Sequence, residues 1–387
     1  MRQHGDAARA QALADTATAA ERRRRARAAG DAQPFNALSV LLKLGGEVCR
    51  DLGDLPEARA RFVEALESDR AALPASTSPW ANRDVMVSLL NVARVTRQCG
   101  DAIGALDLHR EALGIARDGF AAEETRVTRE DVAVCLTAVA DSLRELGETS
   151  TLASAYAEVL AHQRVLVAAF DDDLARQSLA TALERVGDVA LDAGDVAAAR
   201  AAFAESLTLR RRLAEAKGTP GAQIGLAEVL RFVGDAARTA EDWTSALAAY
   251  GESWDVSAAA CARQVTPHAH RVRSLALERL ATTAFAADNL DVAHEILTDR
   301  LALDEPYAEQ VQSPAIWRDV AASRYWLSRV LQAQGHLDEA CEQAHLALLL
   351  FTDLHQYLGT PSSAADVQQA QRHVDAVGAS DEPGGAQ

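Results

Sequence analysis

The sequence predicts an all-α protein: a right-handed superhelical solenoid of antiparallel helix pairs. The prediction rests on a helix-favouring composition, a 47-residue internal repeat, and small and large residues that recur at helical spacing within each repeat. Ala, Leu, Arg and Glu dominate the 387 residues, whereas aromatic residues make up only 5%, as is typical of helical proteins. Because a chain of this length exceeds one ordinary compact core, we expect several domains or one elongated array.

A recurring turn defines the repeat. In the stretch LDAGDVAAARAAF, Gly194 is followed by an acid, and stepping by 47 residues in both directions finds similar turns without insertion or deletion. A glycine can end one helix in the left-handed conformation, and the next Asp can cap a second helix. Each turn therefore predicts a chain reversal between a helix A and a helix B. The turn positions are Gly53, Gly100, Gly147, Gly194, Glu241, Asp288 and Gly335.

The columns around the turn predict how the two helices pack. Seven residues before each turn every residue is small, and five residues after it six of the seven residues are Ala. Leu dominates eleven residues before the turn and thirteen after it. Since residues four apart share a helical face, small residues allow helices A and B to approach, and large residues fill the space between pairs. Chain breakers are predicted in the linkers at Pro74, Pro79, Gly218–Gly221, Pro267, Pro306 and Pro314.

The two ends predict terminal caps. Gly5-Asp6 has the character of one more turn, so the chain is expected to open in mid-repeat, either with a capping helix or as a piece of a longer polypeptide. The polar segment near the other end suits a capping helix, and the last residues a disordered tail. The predicted parts are an N-terminal half repeat or cap (1–36), seven repeats (37–356), a C-terminal capping helix (357–379) and a disordered tail (380–387).

The columns resemble the tetratricopeptide repeat (TPR). One repeat carries the matching large, small, turn, small and aromatic positions in order, at Leu183, Gly187, Gly194, Ala199, Phe203 and Ser206-Leu207. The departure is length, because the usual repeat has about 34 residues and this one has 47. The resemblance implies a concave face, lined by helix A, that binds peptides or proteins. Long versions of this kind resemble bacterial arrays that are often joined to signalling, protease-like or nucleotide-binding modules.

The resemblance also implies which residues face the groove: those ten, six and three positions before each turn. Arginines recur there, which favours a partner with carboxylate or phosphate groups. For Arg50, Arg144 and Arg238 the alternative is pairing with an acid three residues earlier. Arg94 and Arg97 have no acid at that spacing and are the favoured anchors. The candidate groove residues are Lys43, Arg50, Asn91, Arg94, Arg97, Arg144, Arg231, Arg238, Tyr325 and Arg329.

Charge and composition narrow the classes of function. A net charge of −17 disfavours general nucleic-acid binding. No stretch approaches the roughly 18 apolar residues of a membrane span. The five cysteines contain no CxxC pair, which favours reduced thiols in a cytoplasmic protein. His268-Ala-His270, expected in a linker, has no third ligand nearby in sequence. No metal, cofactor or catalytic residue is predicted.

The favoured function is a non-catalytic scaffold or adaptor that binds a protein or peptide in the groove of the solenoid. An alternative is a regulatory sensor arm of a larger signalling or defence system, with its effector on another chain or missing from this one. An enzyme with an unrecognised site is the least favoured hypothesis. The arginines favour acidic groups on the partner, whose identity and pathway stay open, as does the oligomeric state.

Overall fold

The structure is a computed structural model that describes residues 2–27, 37–76 and 80–381. Within those residues it contains α-helices and one short 3-10 helix (Leu73–Ala75), and no strand. The helices are α1 (Arg2–Arg27), α2 (Ala37–Asp51), α3 (Leu55–Ala72), α4 (Ala81–Gln98), α5 (Ala102–Ala122), α6 (Arg126–Glu145), α7 (Thr149–Phe170), α8 (Asp173–Asp192), α9 (Val196–Lys217), α10 (Pro220–Thr239), α11 (Trp243–Arg263), α12 (Pro267–Ala286), α13 (Leu290–Val311), α14 (Pro314–Gln334), α15 (Leu337–Leu358) and α16 (Pro361–Asp381).

The predicted turns lie between an even-numbered helix A and the following helix B. All seven turn positions have positive φ, including the two without glycine, Glu241 at 57° and Asp288 at 60°. At the first turn the Asp54 amide donates to the Cys49 carbonyl at 2.9 Å, which ends helix A with a left-handed cap. The Asp54 carboxylate then accepts from the Glu57 amide at 3.2 Å and starts helix B. The all-α helical-repeat fold is therefore confirmed, with its turns where the sequence predicts them.

The column of small residues has a specific steric cause in two repeats of the second half of the chain. A Cβ on Gly187 would lie 2.5 Å from the ring of Phe203, and a Cβ on Gly234 would lie 2.5 Å from the ring of Tyr250. Both rings come from helix B, nine residues after the turn. The small residue therefore makes room for an aromatic ring that fills the centre of its own helix pair.

Three local predictions are wrong. Gly5-Asp6 lies inside α1 and forms no turn, because a single glycine is tolerated within a helix. Pro306 lies inside α13 and does not break it, since buried neighbours such as Leu301 and Ala308 hold the helix against the core. His268 and His270 belong to the first turn of α12 and not to a linker. The C-terminal helix is Pro361–Asp381, and residues 382–387 of the predicted tail, like Pro79, lie outside the described residues.

The chain divides into two compact units, residues 1–186 and residues 187–387, with the boundary within α8. Within each unit, helices that follow one another pack side by side, for example α4 on α5 and α14 on α15. Some A helices also touch the next A helix, as α2 touches α4 and α12 touches α14. Among the described helices, none has both the length and the apolar character that crossing a bilayer requires. The adjoining A helices create the surfaces on which the candidate sites lie.

Candidate binding sites on the A helices

The first unit has a pocket between α4 and α6 that we call the arginine pocket. Its volume is about 330 Å³, and α5 contributes one residue to it. Three of the ten candidate residues, Asn91, Arg94 and Arg97, lie in its wall. The lining residues are Val87, Leu90, Asn91, Arg94, Arg97, His109, Val134, Ala138 and Asp141.

The two arginines of this pocket are ion-paired, although the sequence predicted none within their own helix. Arg94 donates to Glu47 on α2 at 2.8 Å and also bonds Asn91. Arg97 bonds Glu145 on α6. These acids come from neighbouring A helices, 47 and 48 residues away in sequence, and not from α4 itself. Both arginine side chains keep more than a third of their surface exposed (39% and 37%), so these pairs are weak.

Two further polar groups complete the arginine pocket. His109 is buried and its Nδ1 lies 2.8 Å from the Ser142 hydroxyl. Burial, with a smaller effect of the Arg97 charge, lowers the pKa of His109 to about 4, so the ring is neutral at neutral pH. The Tyr156 hydroxyl donates to Asp141 at 2.6 Å. The lining itself carries two arginines and one carboxylate, and the acids that pair with the arginines, Glu47 and Glu145, lie outside it.

An adjoining pocket extends this surface towards α8 within the same unit. Its volume is about 270 Å³, and it shares the side chain of Val134 with the arginine pocket. Val134 and Leu174 are both more than half exposed, which offers apolar contact to a bound chain. Thr137, Gln177 and Arg185 supply its polar groups. The two pockets thus form one strip, with two arginines and one carboxylate at one end and a single arginine, Arg185, at the other.

Most other candidate residues of the first unit are engaged within the fold. Lys43 lies 2.9 Å from the buried carboxylate of Asp69. Arg50 pairs with Glu47 at 2.7 Å, which is the alternative that the sequence left open. The Arg144 guanidinium lies 5.7 Å from the centre of the Tyr156 ring. These three residues line neither pocket of this unit described above.

The candidates of the second unit are also partly engaged. Arg231 pairs with Asp235 at 2.8 Å. Burial raises the pKa of Tyr250, and the nearby charge of Arg238 opposes that rise. Arg329 lies over the Trp326 ring at 4.6 Å. One of these candidate residues, Tyr325, lines a pocket of the second unit.

That pocket of the second unit, which we call the Asp319 pocket, lies between α12, α14 and α16. Its volume is about 300 Å³. It opens beside the first half of each A helix, and apart from Tyr325 and Glu278, ten residues before their turns, its A-helix residues lie at positions that the groove prediction did not include. The lining residues are Arg271, Leu275, Glu278, Arg318, Asp319, Ala322, Tyr325, Trp326, Phe351, Asp366, Gln369 and Ala370.

A buried ion network lies on α12 and α13 behind the Asp319 pocket. The Arg300 side chain has no exposed surface; its Nη2 lies 3.0 Å from Glu278 and its Nε lies 3.3 Å from Asp304. Ser274 donates to Asp304 at 2.5 Å. His270 stacks on the Tyr307 ring at 3.8 Å. This network was not predicted from the sequence. Its one signal there is Arg300 with Asp304 four residues later, on a face of helix B that is otherwise apolar.

The comparisons with known proteins bear on the fold alone. No protein-family model matches the sequence, and neither does any curated protein. Solved structures do match. BtubC (BKLC) from P. vanneervenii is 19% identical, with a TM-score of 0.53 over 67% of this chain and 94% of that one. A Rap protein complexed with competence and sporulation factor is 12% identical, with a TM-score of 0.51 over 96% and 94%.

The quorum sensor NprR from B. thuringiensis, in its apo form, is 14% identical, with a TM-score of 0.54 over 82% of this chain and 77% of that one. These three similarities, together with the helix pairs and turns described above, make the chain a TPR-like helical-repeat protein.

Proposed function

We propose that the chain is a non-catalytic scaffold or adaptor that holds a peptide or an extended protein segment on the A-helix face of its first unit. The observation that carries this proposal is the convergence of Asn91, Arg94 and Arg97 on one pocket beside the exposed apolar side chain of Val134. In this proposal the arginines bind a carboxylate of the partner, and the exposed side chains of Val134 and Leu174 contact the residues next to that carboxylate.

The energetics favour exchange of the internal acids for a ligand. Glu47 and Glu145 are each about a third or more exposed, so they stay hydrated when a ligand displaces them. A charge-assisted hydrogen bond to a bound carboxylate contributes about 1.5–3 kcal/mol. Apolar contacts to Val134 add to this, and the neutral His109 ring adds no third cation to the two arginines.

The similar structures support a binding function. The Rap protein was solved as a complex with competence and sporulation factor, and its fold matches 96% of this chain. A second candidate function is a sensor arm that reports ligand binding to an effector. The similarity to NprR favours it, because NprR is described as a quorum sensor and the match leaves part of that chain uncovered. Both functions use the same groove.

Panning of a random peptide phage library on the immobilised chain tests the proposal. We expect enrichment of peptides that contain Asp or Glu. The selected peptides are then titrated by fluorescence anisotropy against Arg94→Gln/Arg97→Gln, which removes both charges without placing an acid beside Glu47 or Glu145. Affinity should fall at least about tenfold, because two charge-assisted contacts are lost.

The matched control carries the same charge change on α5. Arg110 and Arg117 are both more than half exposed on that helix B, and Arg110→Gln/Arg117→Gln should bind the peptides like the wild type. Unchanged affinity in the Arg94/Arg97 variant, with the helical circular dichroism preserved, would contradict the proposal. Equal losses of affinity in both double variants would show that binding depends on the net charge of the chain and not on this pocket.

A further inference from the structure

An ion pair between adjacent A helices recurs in both units. In the first unit the guanidinium of Arg83 on α4 donates to Asp131 on α6 at 2.8 and 3.0 Å. In the second unit Arg318 on α14 donates to Asp366 on α16 at 2.7 and 3.0 Å. In both cases the acid follows the arginine by 48 residues. The repeat thus builds a two-bonded clasp near the start of its A helices.

The same spacing joins Arg271 on α12 to Asp319 on α14, but this clasp is open. Among the described residues, no basic nitrogen lies within 4.0 Å of the Asp319 carboxylate. Arg271 is exposed, whereas Asp319 is only partly exposed. Both residues line the Asp319 pocket, so the pocket lies where the clasp is closed elsewhere.

The other carboxylates of this pocket are already neutralised. Glu278 lies 3.0 Å from Arg300, and Asp366 is held by two bonds from Arg318. Asp319 is therefore the acid in the lining that lacks an ion pair. Within the lining three acids face two arginines, and Arg300, which pairs with Glu278, lies outside it. A cation would satisfy Asp319, whereas an anion would be repelled by it.

Aromatic side chains form much of the remaining wall. Tyr325, Trp326 and Phe351 all line the pocket. Arg329 lies over the Trp326 ring at 4.6 Å, so this indole already contacts a guanidinium. Aromatic surfaces accept the methylene stems of Lys and Arg as well as their charged ends. A volume of about 300 Å³ accommodates one such side chain.

We propose that the Asp319 pocket binds the side chain of a lysine or arginine in a peptide, with its charged end bonded to Asp319 and its stem against Tyr325 and Trp326. Arg271 stays at the rim and competes with the ligand for the same carboxylate. The peptide nature of the ligand rests on the function proposed above. This proposal differs from the proposed function in the pocket, in the unit that contains it and in the charge of the group that is recognised.

The titration of Asp319 gives the binding a pH dependence. Burial raises the pKa of Asp319 to about 6, against the smaller opposing effects of Arg300 and Arg271. Affinity for a basic side chain should therefore fall as the pH drops below about 6, because the protonated acid cannot pair with a cation. The charged groups that face Asp319 or line its pocket are Arg271, Glu278, Arg300, Asp304, Arg318 and Asp366.

Fluorine NMR of the full chain, labelled with 5-fluorotryptophan, tests this inference. The probes are blocked tripeptides with a central arginine or lysine, and the controls have a central glutamate or norleucine. The Trp326 resonance, assigned with Trp326→Phe, should shift saturably with the basic peptides only. Equal shifts with the glutamate or norleucine peptides, or no shift with the basic ones, would overturn the proposal.

Three variants sharpen the test. Asp319→Asn, which is nearly isosteric, should weaken binding at least about tenfold. Arg271→Ala should bind equally well or more tightly, because the internal competitor is gone. Asp131→Asn, the same repeat position in the first unit, should leave the titration unchanged. Binding by Asp319→Asn within twofold of the wild type, or a loss in Arg271→Ala, would refute the assignment.

The result is separable from the test of the first unit. Arg94→Gln/Arg97→Gln should leave the Trp326 titration as it is in the wild type. Loss of peptide binding in that double variant with an intact Trp326 response would support both proposals. An intact double variant with a silent Trp326 would contradict both.

Discussion

The arginine pocket and the Asp319 pocket are built from the same repeat and have opposite charge. In the first unit two arginines face one carboxylate, Asp141. In the second unit three acids face two arginines, and one acid, Asp319, has no ion-pair partner within the part of the chain that the structure describes. The turns of the helix pairs that carry them share a left-handed residue. The difference shows that the repeat fixes where a side chain lies, while the residue at each position fixes what the surface can bind.

The two pockets also lie at different levels of the A helices. The arginine pocket uses residues three to thirteen positions before the turn, such as Arg97 and Val134. The Asp319 pocket uses positions from nine to seventeen before it, such as Trp326 and Arg318. In the first unit the ion pair between Arg83 and Asp131 joins the starts of two adjacent A helices. In the second unit the equivalent residues, Arg271 and Asp319, are not paired, and the space beside the helix starts is a pocket.

The largest difference between the two regions should be in stability. Arg300→Met leaves Glu278 and Asp304 buried without their cation, and it should lower the free energy of unfolding by about 3–5 kcal/mol. Arg94→Met in the first unit removes a half-exposed pair and should cost no more than about 1 kcal/mol. Urea unfolding followed by circular dichroism measures both. A cost for Arg300→Met as small as that for Arg94→Met would show that the buried network contributes little.

The two units should respond with opposite sign to the same pH change. The pKa of Asp319 is raised from 3.8 to about 6, so between these pH values the folded chain keeps a proton on Asp319 that the unfolded chain releases. The stability that this proton contributes is lost as the pH rises from about 4 to 6. The pKa of His109 is lowered from 6.5 to about 4, so its contribution is lost as the pH falls over that range. Each effect should reach about 3 kcal/mol.

Asp319→Asn and His109→Gln separate the two contributions. Relative to the wild type, Asp319→Asn should gain stability as the pH rises through this range, and His109→Gln should gain stability as it falls. Urea unfolding at several pH values between about 4 and 7 measures the slopes. Parallel slopes for the wild type and either variant would place the titration elsewhere.

The smallest expected difference concerns the clasp itself. Arg83→Met removes a closed clasp with Asp131 and should cost about 0.5–1 kcal/mol. Arg271→Met removes the open equivalent and should cost less than a few tenths of a kcal/mol, because no bond is lost. Thermal unfolding of the two variants side by side decides this. Equal costs would mean that Arg271 closes on Asp319 in solution.

Local signals determined most of the fold. The register of 47 residues placed every turn, because a left-handed cap depends only on the residues next to it. Glu241 and Asp288 adopt that conformation without glycine, since the hydrogen bonds of the turn hold them there. The errors at Gly5 and Pro306 have one cause: a single breaker is overridden when the helix around it packs or propagates.

The candidate site was determined only in part. Periodicity put Arg94 and Arg97 on one helix face, and the structure places both in one pocket. Their ion pairs were not predictable from the sequence of α4, because the acids Glu47 and Glu145 are a whole repeat away. Pairing of that kind depends on how adjacent A helices are spaced and on side-chain conformation, neither of which a helical period contains.

The sequence by itself thus determined the secondary structure, the turns and the class of fold, because these follow from capping and from periodic burial within about 20 residues. Only the tertiary structure decided which charges remain available. Arg83 and Arg271 occupy the same position of the repeat, yet one is clasped and the other faces an open pocket beside Asp319. The physical reason is that an ion pair forms over a few ångströms, and those distances are set by packing between repeats.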